Sequence, residues 1–255
     1  MTRITYSQEP DQAKDKVGKI AYSKSFWVVI IIAIFIVGYI AYPRVDESED
    51  VNPNPTPIIN TVTDIDGNVY KTVKIGNQTW IAENLRTIKL NDGTQIPYVA
   101  DASAWENLRT PGYCWYNNDI SNKVVYGGIY DWYAVNTGKL APLGWNVPTK
   151  AELATLINYL GGEDVADGKL KETGTSHWNG PNTGATNESG FTALPAGYCH
   201  GRFLHIGNAG FWWSATLDNV SSQAWRLWMT NDGSKADLNT QHLEVGLSVR
   251  CVKDS

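Results

Sequence analysis

The stretch PTKAELATLINYLGG, residues 148–162, carries the clearest local signal in the chain. Thr149 is followed three residues later by Glu152, a pair typical of a capping box, in which each side chain binds the backbone of the other residue. Apolar residues then recur at helical spacing, at Leu153, Leu156, Ile157 and Leu160. Two glycines follow this stripe and favour the end of a helix. The pattern predicts an amphipathic helix that begins directly after Thr149.

Short β-prone runs separated by turn signals precede this helix. Residues 62–85 contain Asp-Gly-Asn at 66–68 and Gly-Asn at 76–77, and they predict three strands in a meander. Residues 101–108, with an aspartate as N-cap, and residues 130–135 predict short helices.

Strand signals return in the last third of the chain. Three β-prone runs lie at residues 211–215, 224–229 and 247–252, after a long segment, 173–189, that is dense in Asn, Gly, Thr and Ser. The sequence therefore predicts an α+β fold with strands at both ends and two or three short helices and long loops between them.

An uncharged apolar segment, FWVVIIIAIFIVGYIAY, occupies residues 26–42. As a helix it would span roughly 25 Å, which is enough to cross the core of a bilayer. Basic residues dominate its upstream flank and acidic residues its downstream flank, so the positive-inside rule places residues 1–25 in the cytoplasm. We expect an uncleaved transmembrane anchor; a cleaved signal peptide is the alternative.

An acidic and proline-rich linker, residues 43–59, follows the anchor and includes VNPNPTP, which favours an extended, semi-rigid spacer. The remaining residues, 60–255, suit a single compact domain outside the cytoplasm. The net charge of −5 is spread along the chain and gives no support to nucleic-acid binding.

Six blocks of the domain resemble the Fibrobacter succinogenes major paralogous domain family. They are IGNQTWIAENL (75–85), YCWYNND (113–119), YGGIYDWYAVNTGKLAPLGWNVPTKAEL (126–153), LKETGTSHWNGPNTGATNESGFTALPAGY (170–198), FWWSAT (211–216) and GLSVRCV (246–252). That family is similar to the C-type lectin-like fold, which the formylglycine-generating enzymes share. The resemblance implies pairing of the first and last strands, a binding surface on a small upper sheet and long loops, and a bacterial envelope location, in the periplasm or at the cell surface.

The resemblance also implies a disulfide bond between Cys114 and Cys251, because both lie in blocks similar to the family's cysteine-bearing segments. An extracytoplasmic compartment permits such a bond. Cys199 is then expected to be buried and unpaired, and a Cys199–Cys251 bond is the alternative.

Signals for catalysis are weak. The formylglycine-generating enzymes depend on two closely spaced cysteines, and this chain has no such pair, so we expect no enzymatic activity. Cys199 with His200 or His205 could form a loose metal cluster or a Cys–His nucleophile, but a structural cysteine is the favoured reading.

The loop near residue 180 offers oxygen ligands for calcium at Asn179, Asn182, Asn187 and Glu188. Only one of these side chains carries a formal charge, which is poor for a tight calcium site. A loop rich in Asx turns is the favoured interpretation, and we expect no metal or other cofactor.

The segment 211–246 combines tryptophans with polar side chains, a mixture typical of carbohydrate or protein contact surfaces. The candidate ligand-binding residues are Trp213, Ser222, Arg226, Trp228, Thr230, Asn231, Asp232 and His242. Core packing is the alternative for the two tryptophans. Lectin-like domains, members of this family included, also serve as variable proteins of diversity-generating retroelements, so several of these positions and Ser221 could be diversified.

These features together predict a non-catalytic, membrane-anchored binding or adhesion module that displays a lectin-like face to an unknown protein or glycan. Two other functions remain open. The domain could be a structural component of an envelope assembly, or an extracytoplasmic enzyme that acts on protein or glycan.

Overall fold

The computed structural model describes residues 60–254 of the chain. The expected cytoplasmic segment, the anchor at 26–42 and the linker at 43–59 lie outside these residues. Within the described part of the chain, every helix is too short or too polar to cross a membrane.

The described residues form a mixed α+β domain, as predicted. In chain order the strands are β1 (Thr61–Thr63), β2 (Val69–Ile75), β3 (Gln78–Ile81), β4 (Tyr113–Cys114), β5 (Ile129–Tyr130), β6 (Trp145–Asn146), β7 (Tyr198–Cys199), β8 (Phe203–Leu204), β9 (Ala209–Asp218), β10 (Gln223–Thr230), β11 (Asp237–Gln241) and β12 (Val252–Lys253). The helices are α1 (Ala102–Glu106), α2 (Asn122–Tyr126), α3 (Trp132–Asn136), α4 (Lys150–Tyr159) and α5 (Glu163–Leu170).

The strands form one five-stranded sheet, one three-stranded sheet and two short hairpin-like pairs. The five-stranded sheet has the order β1-β2-β3-β12-β6, the three-stranded sheet the order β11-β10-β9, and the pairs are β4-β5 and β7-β8. The predicted meander over residues 62–85 is confirmed, because β1, β2 and β3 pair in sequence.

The last strand does not pair with the first one, which corrects the expectation drawn from the family resemblance. Val252 of β12 lies opposite Trp80 of β3 on one side and Asn146 of β6 on the other. The two tight turns of the meander place β2 between β1 and β3, so the second edge of β3 is the one that receives the last strand.

The helix starts predicted after Thr149 and Asp101 are confirmed, whereas the helix predicted over residues 130–135 begins at Trp132 because Tyr130 belongs to β5. The Thr149 side chain accepts a hydrogen bond from the Glu152 backbone N–H, and the Glu152 carboxylate accepts one from the Thr149 N–H at 2.7 Å. Helices α1 and α3 also begin after aspartate N-caps. Helices α2 and α5 were not predicted, since neither carries a clear apolar stripe.

Two large buried clusters lie on opposite faces of β9 and β10. One of them, here called core one, includes Tyr130, Trp213 and Val249. The other, core two, includes Trp80 and Trp212. Neighbouring residues of β9 thus enter different cores, as the alternation of side chains along a strand requires.

The three cysteines are buried free thiols, and the predicted Cys114–Cys251 bond is not formed. Cys114 belongs to a small third cluster that also contains Cys199, whereas Cys251 lies in core one. The pairing of β4 with β5 carries Cys114 away from the five-stranded sheet beside which Cys251 lies. The alternative bond, between Cys199 and Cys251, is also absent, because Cys199 on β7 lies in the third cluster and Cys251 in core one.

Arg250 lies fully inside the domain, and no carboxylate of the described residues forms a salt bridge with it. Its Nε donates to the Asn84 side-chain oxygen at 2.8 Å. Its Nη1 donates to the carbonyls of Phe191 at 2.6 Å and Ile81 at 3.2 Å, and its Nη2 to that of Thr192 at 2.8 Å. Burial lowers the pKa of Arg250 to about 9, so the guanidinium remains charged at neutral pH.

Asp131 is a second buried charged residue, and it caps α3. One carboxylate oxygen accepts from the Ala134 N–H at 2.8 Å, while the other is buried without a hydrogen-bond partner. Burial raises the pKa of Asp131 to about 7. Between about pH 4 and pH 7 the folded protein therefore holds a proton that the unfolded chain has released, and this group makes the fold less stable as the pH rises.

Arg250→Lys tests the carbonyl cage around the guanidinium. Lysine keeps the charge but replaces a fork of three donating nitrogens by one ammonium, so buried acceptors lose their donors. We expect the free energy of unfolding of the full chain in detergent, measured with urea, to fall by about 2–4 kcal/mol. Arg109→Lys, at an exposed position, is the control and should change it by less than about 0.5 kcal/mol. Equal losses of unfolding free energy in the two variants would contradict a stabilising role for the acceptors around Arg250.

Asp131→Asn tests the buried N-cap. The amide oxygen can still cap α3 but does not titrate. When the pH is raised from 5 to 8, the free energy of unfolding of the variant should therefore rise relative to that of the wild type by on the order of 2–3 kcal/mol. Urea unfolding at both pH values measures this difference. Asp101→Asn, at the exposed N-cap of α1, is the matched control and should show the same offset at both. A pH-independent offset for Asp131→Asn would disprove the role of burial.

Candidate functional site

An open cleft of about 460 Å³ lies at the end of the three-stranded sheet. Its lining residues are His205, Asn208, Ala209, Phe211, Trp228, Thr230, Asn231 and Asp232. A second cleft of about 230 Å³ adjoins it and shares Trp228 and Thr230. Trp228 thus stands between two concave surfaces, and the larger one is within the usual size range of small-molecule sites, roughly 300–1,000 Å³.

The wall of the cleft is an aromatic pair that the strand register creates. Phe211 of β9 lies directly opposite Trp228 of β10. Their rings stack with a centroid distance of 6.1 Å and an interplanar angle of 4°. Tyr198 extends the aromatic surface, since it meets Phe211 edge to face at 5.4 Å and His205 at 5.6 Å. The result is a cluster of aromatic side chains, with Phe211 largely buried, beside an open space.

Arg226 packs against this aromatic pair. Its guanidinium carbon lies 5.2 Å from the ring centroid of Phe211 and 5.2 Å from that of Trp228. Burial lowers the pKa of Arg226, and the negative charge of Asp237 opposes that change. Two guanidinium nitrogens, Nε and Nη1, and the Trp228 indole nitrogen are buried without hydrogen-bond partners in the described structure. Polar capacity therefore remains unused beside the cleft.

Two asparagines on the rim of the cleft are oriented by the loop over residues 173–189. The Asn179 amide donates to the Asn208 side-chain oxygen at 3.0 Å. The Asn231 amide donates to the Gly180 carbonyl at 2.9 Å, and its backbone N–H donates to the Asn208 carbonyl. Among the described residues, the Asn208 amide nitrogen, the Asn231 side-chain oxygen and the Asp232 carboxylate make no hydrogen bond, so donors and acceptors face the same space.

Lys171 fixes the base of this loop from inside the domain. Its side chain and that of Asp167 are both fully buried, and the two form a salt bridge of 2.7 Å. The ammonium also donates to the carbonyls of Thr183 at 2.9 Å, Thr230 at 3.0 Å and Gly233 at 3.3 Å. One buried cation thereby holds α5, the long loop and the end of β10 together.

The structure brings together about half of the residues predicted from the sequence. Trp228, Thr230, Asn231 and Asp232 line the cleft, and Arg226 packs behind its aromatic wall.

Trp213 has no place on this surface, which corrects its selection as a ligand-binding residue. Its side chain is fully buried in core one, and its indole nitrogen donates to the Tyr130 carbonyl at 2.8 Å. Core packing, the alternative considered from the sequence, describes its position.

Ser222 and His242 lie at the opposite end of the sheet. Ser222 is in the turn between β9 and β10, and the His242 ring is 3.4 Å from the side chain of Gln223. Gln223 and Thr230 bound β10, and seven residues of strand separate their Cα atoms by roughly 23 Å. A single small ligand in the cleft cannot reach Ser222 or His242.

His205, Asn208 and Phe211 line the cleft but were not selected from the sequence. Asn208 precedes β9 directly, and Ala209 pairs with Thr230. The register of β9 against β10 would have revealed these residues, but a β-bulge between Ala224 and Arg226 shifts that register, and composition does not show it.

The loop considered for calcium uses its polar side chains internally. The Asn182 amide donates to the carbonyls of Glu172 and Gly174, and the Asn187 side-chain oxygen accepts from the Thr192 N–H. In the described part of the chain, no three His, Cys, Asp or Glu side chains converge on a possible metal site. Cys199 is buried, so its thiol is not accessible as a nucleophile that a neighbouring histidine could activate.

A family model described as the Fibrobacter succinogenes major domain matches residues 73–253. No significant match was found among curated proteins or among solved structures.

Lys171→Met tests the cation that supports the cleft. The change leaves Asp167 as an unpaired buried carboxylate and removes the donor to three carbonyls, so the free energy of unfolding should fall by about 3–5 kcal/mol. Lys169→Met, in the last turn of the helix that Lys171 follows, removes only a half-exposed contact of 3.6 Å with Glu188 and should cost less than about 1 kcal/mol. Urea unfolding of both variants makes the comparison. Similar losses would show that Lys171 has no special structural role.

Proposed function

The chain belongs to the Fibrobacter succinogenes major domain family, and from this premise we propose that it is a membrane-anchored, non-catalytic binding or adhesion module. The domain, 60–255, is displayed outside the cytoplasm on the anchor at 26–42 and the linker at 43–59. Its ligand binds in the cleft beside Phe211 and Trp228.

The cleft beside the stacked Phe211 and Trp228 rings supports a binding role most directly. Binding sites in proteins are concave, mostly apolar, and supplied with a few oriented polar groups. Here the aromatic pair lines the same cleft as Asn208, Asn231 and Asp232. Rigid aromatic side chains also provide contact area with little loss of conformational freedom.

A glycan fits these groups better than a flat protein surface does. Aromatic rings pack against the apolar face of a sugar ring, while amide and carboxylate groups bind its hydroxyls. The C-type lectin-like resemblance supports the same reading, since it implies a binding surface on a small sheet and long loops, and the cleft lies on β9, β10 and the loop before β9.

Several features support a non-catalytic role. Cys199 is enclosed in the third buried cluster, and Cys114 and Cys251 are also buried. The two closely spaced cysteines on which the formylglycine-generating enzymes depend are missing from the sequence. The titratable groups of the cleft, His205 and Asp232, have no hydrogen-bonded nucleophile beside them in the described structure.

A role in an envelope assembly is the second candidate, and one surface favours it. Ile120 and Val124, next to or within α2, expose 63% and 76% of their surface, and Val125 is also exposed. Neighbouring exposed apolar side chains are typical of protein contact surfaces.

The purified full chain in detergent, screened on glycan and protein arrays, tests the proposed site. Trp228→Ala should weaken binding of any ligand found by at least about 30-fold, as expected for a central anchor residue, and Arg226→Ala, which removes the packing behind the aromatic wall, should weaken it as well. Trp145→Ala and Arg109→Ala are the matched controls outside the cleft and should bind normally. Thermal melting of every variant separates loss of binding from loss of fold.

Binding that survives both cleft substitutions would exclude this cleft as the site. A protein ligand that is lost with Val124→Asp but retained by Trp228→Ala would favour the assembly role instead.

A further inference from the structure

Two cysteine-bearing strands converge on the third buried cluster, which contains Trp105, Cys114, Tyr116, Ile129 and Cys199. Cys114 ends β4 and lies opposite Ile129 of β5. Cys199 ends β7 and exchanges two backbone hydrogen bonds with Gly246, of 3.0 and 2.7 Å. Strand pairing from two different parts of the chain thus carries both thiols into the same cluster.

Gly246 makes this convergence possible. A Cβ atom at this position would lie 2.5 Å from a methyl carbon of Ile129 and 2.5 Å from the Trp105 ring, closer than packed carbon atoms approach. The missing side chain lets the segment that holds Cys199 approach the strand pair that holds Cys114.

Cys114 and Cys199 are the two cysteines of this buried cluster. Burial, and then the Cys199 thiol beside it, raises the pKa of Cys114. Cys251 is fully buried in core one, outside this cluster. Of the pairings open to three cysteines, this geometry selects one that neither the sequence nor the family resemblance indicated.

We propose that Cys114 and Cys199 form a disulfide bond when the domain folds in the presence of an exchangeable disulfide, and that Cys251 remains a thiol. The Cys114 or Cys199 thiolate attacks a small-molecule disulfide such as oxidised glutathione and releases one thiol. The second protein thiolate then attacks the mixed disulfide and releases the other. The two protein sulfurs are oxidised, the reagent disulfide is reduced to two thiols, and the two cysteine protons pass to those thiols.

The burial of both thiols determines when the disulfide bond can form. In the folded domain both thiols are shielded from reagents, and the raised pKa of Cys114 keeps it protonated, so exchange after folding is slow. The bond therefore forms while the cluster is assembling, in a compartment that supplies an oxidant. That requirement agrees with the proposed location of the domain outside the cytoplasm.

The bond would close a loop of about 85 residues that contains α2 to α5 and the long loop beside the cleft. Closing a loop of this length should raise the melting temperature by about 10 °C or more, in the chain-entropy account of disulfides. Because β7 leads through β8 into His205, the bond would also restrain one wall of the cleft.

Refolding of the full chain tests the proposal. The reduced, unfolded protein is refolded in detergent with a mixture of reduced and oxidised glutathione, alkylated under denaturing conditions and digested with trypsin. The cysteines then fall in three different peptides, residues 110–123, 172–202 and 251–253. We expect mass spectrometry to find the first two joined by a disulfide and the third alkylated.

Three single variants make the result specific. Cys251→Ser should form the same bond and lose about 10 °C of melting temperature on reduction, as the wild type does. Cys114→Ser and Cys199→Ser, each a small substitution in the same cluster, should show no such loss on reduction. A wild type with three alkylated cysteines, or with either thiol joined to Cys251, would overturn the proposal.

Discussion

The burial of Arg250 without a carboxylate partner is the constraint on which much of the fold depends. A charged guanidinium inside a protein is tolerated only if its donors are satisfied. Here the acceptors come from two places: the end of β3 at Ile81 and Asn84, and the loop at Phe191 and Thr192. The indole of Trp212 in β9 donates to the same Asn84 oxygen and so joins this network. If any of these segments moved away, buried polar groups would lose their hydrogen-bond partners. The guanidinium therefore holds the first strands, the last strand and the long loop of the domain together.

Lys171, nearer the cleft, is a second buried cation that donates to backbone carbonyls, although it also has a carboxylate partner in Asp167. It sits at the start of the long loop, and Phe191 and Thr192, which bind Arg250, sit at its end. A loop rich in Asn and Gly would ordinarily have many conformations, yet here both of its ends are held by a buried cation that binds backbone carbonyls. This explains how Asn179 and Gly180 reach fixed positions from which they orient the asparagines of the cleft. The order of the cleft is thus a consequence of charges buried behind it.

Features set by local sequence could be predicted, and features set by distant contacts could not. The capping box at Thr149, the N-cap at Asp101 and the meander turns depend on residues within a few positions of each other. Burial of Arg250 and Lys171 runs against the usual exposure of charged residues, and the proximity of Cys114 to Cys199 depends on strand pairings far apart in the chain. The position of Trp213 shows a second limit of prediction from the sequence. Alternation along β9 indicates which face a side chain occupies but not its depth, and Trp213 and Trp228 share the face toward core one at very different depths.

Hydrogen bonding sets the cleft apart from the rest of the aromatic interior. The indole nitrogens of Trp132, Trp178, Trp212 and Trp213 all donate to protein oxygens. Trp80 and Trp105 lack such a partner, as Trp228 does, but neither lines the two clefts at the end of the sheet. At Trp228 an unpartnered indole, a guanidinium with unpartnered nitrogens and an open volume coincide. Unsatisfied polar groups are costly where they are buried, and these nitrogens are concentrated beside the open cleft in which we propose that the ligand binds.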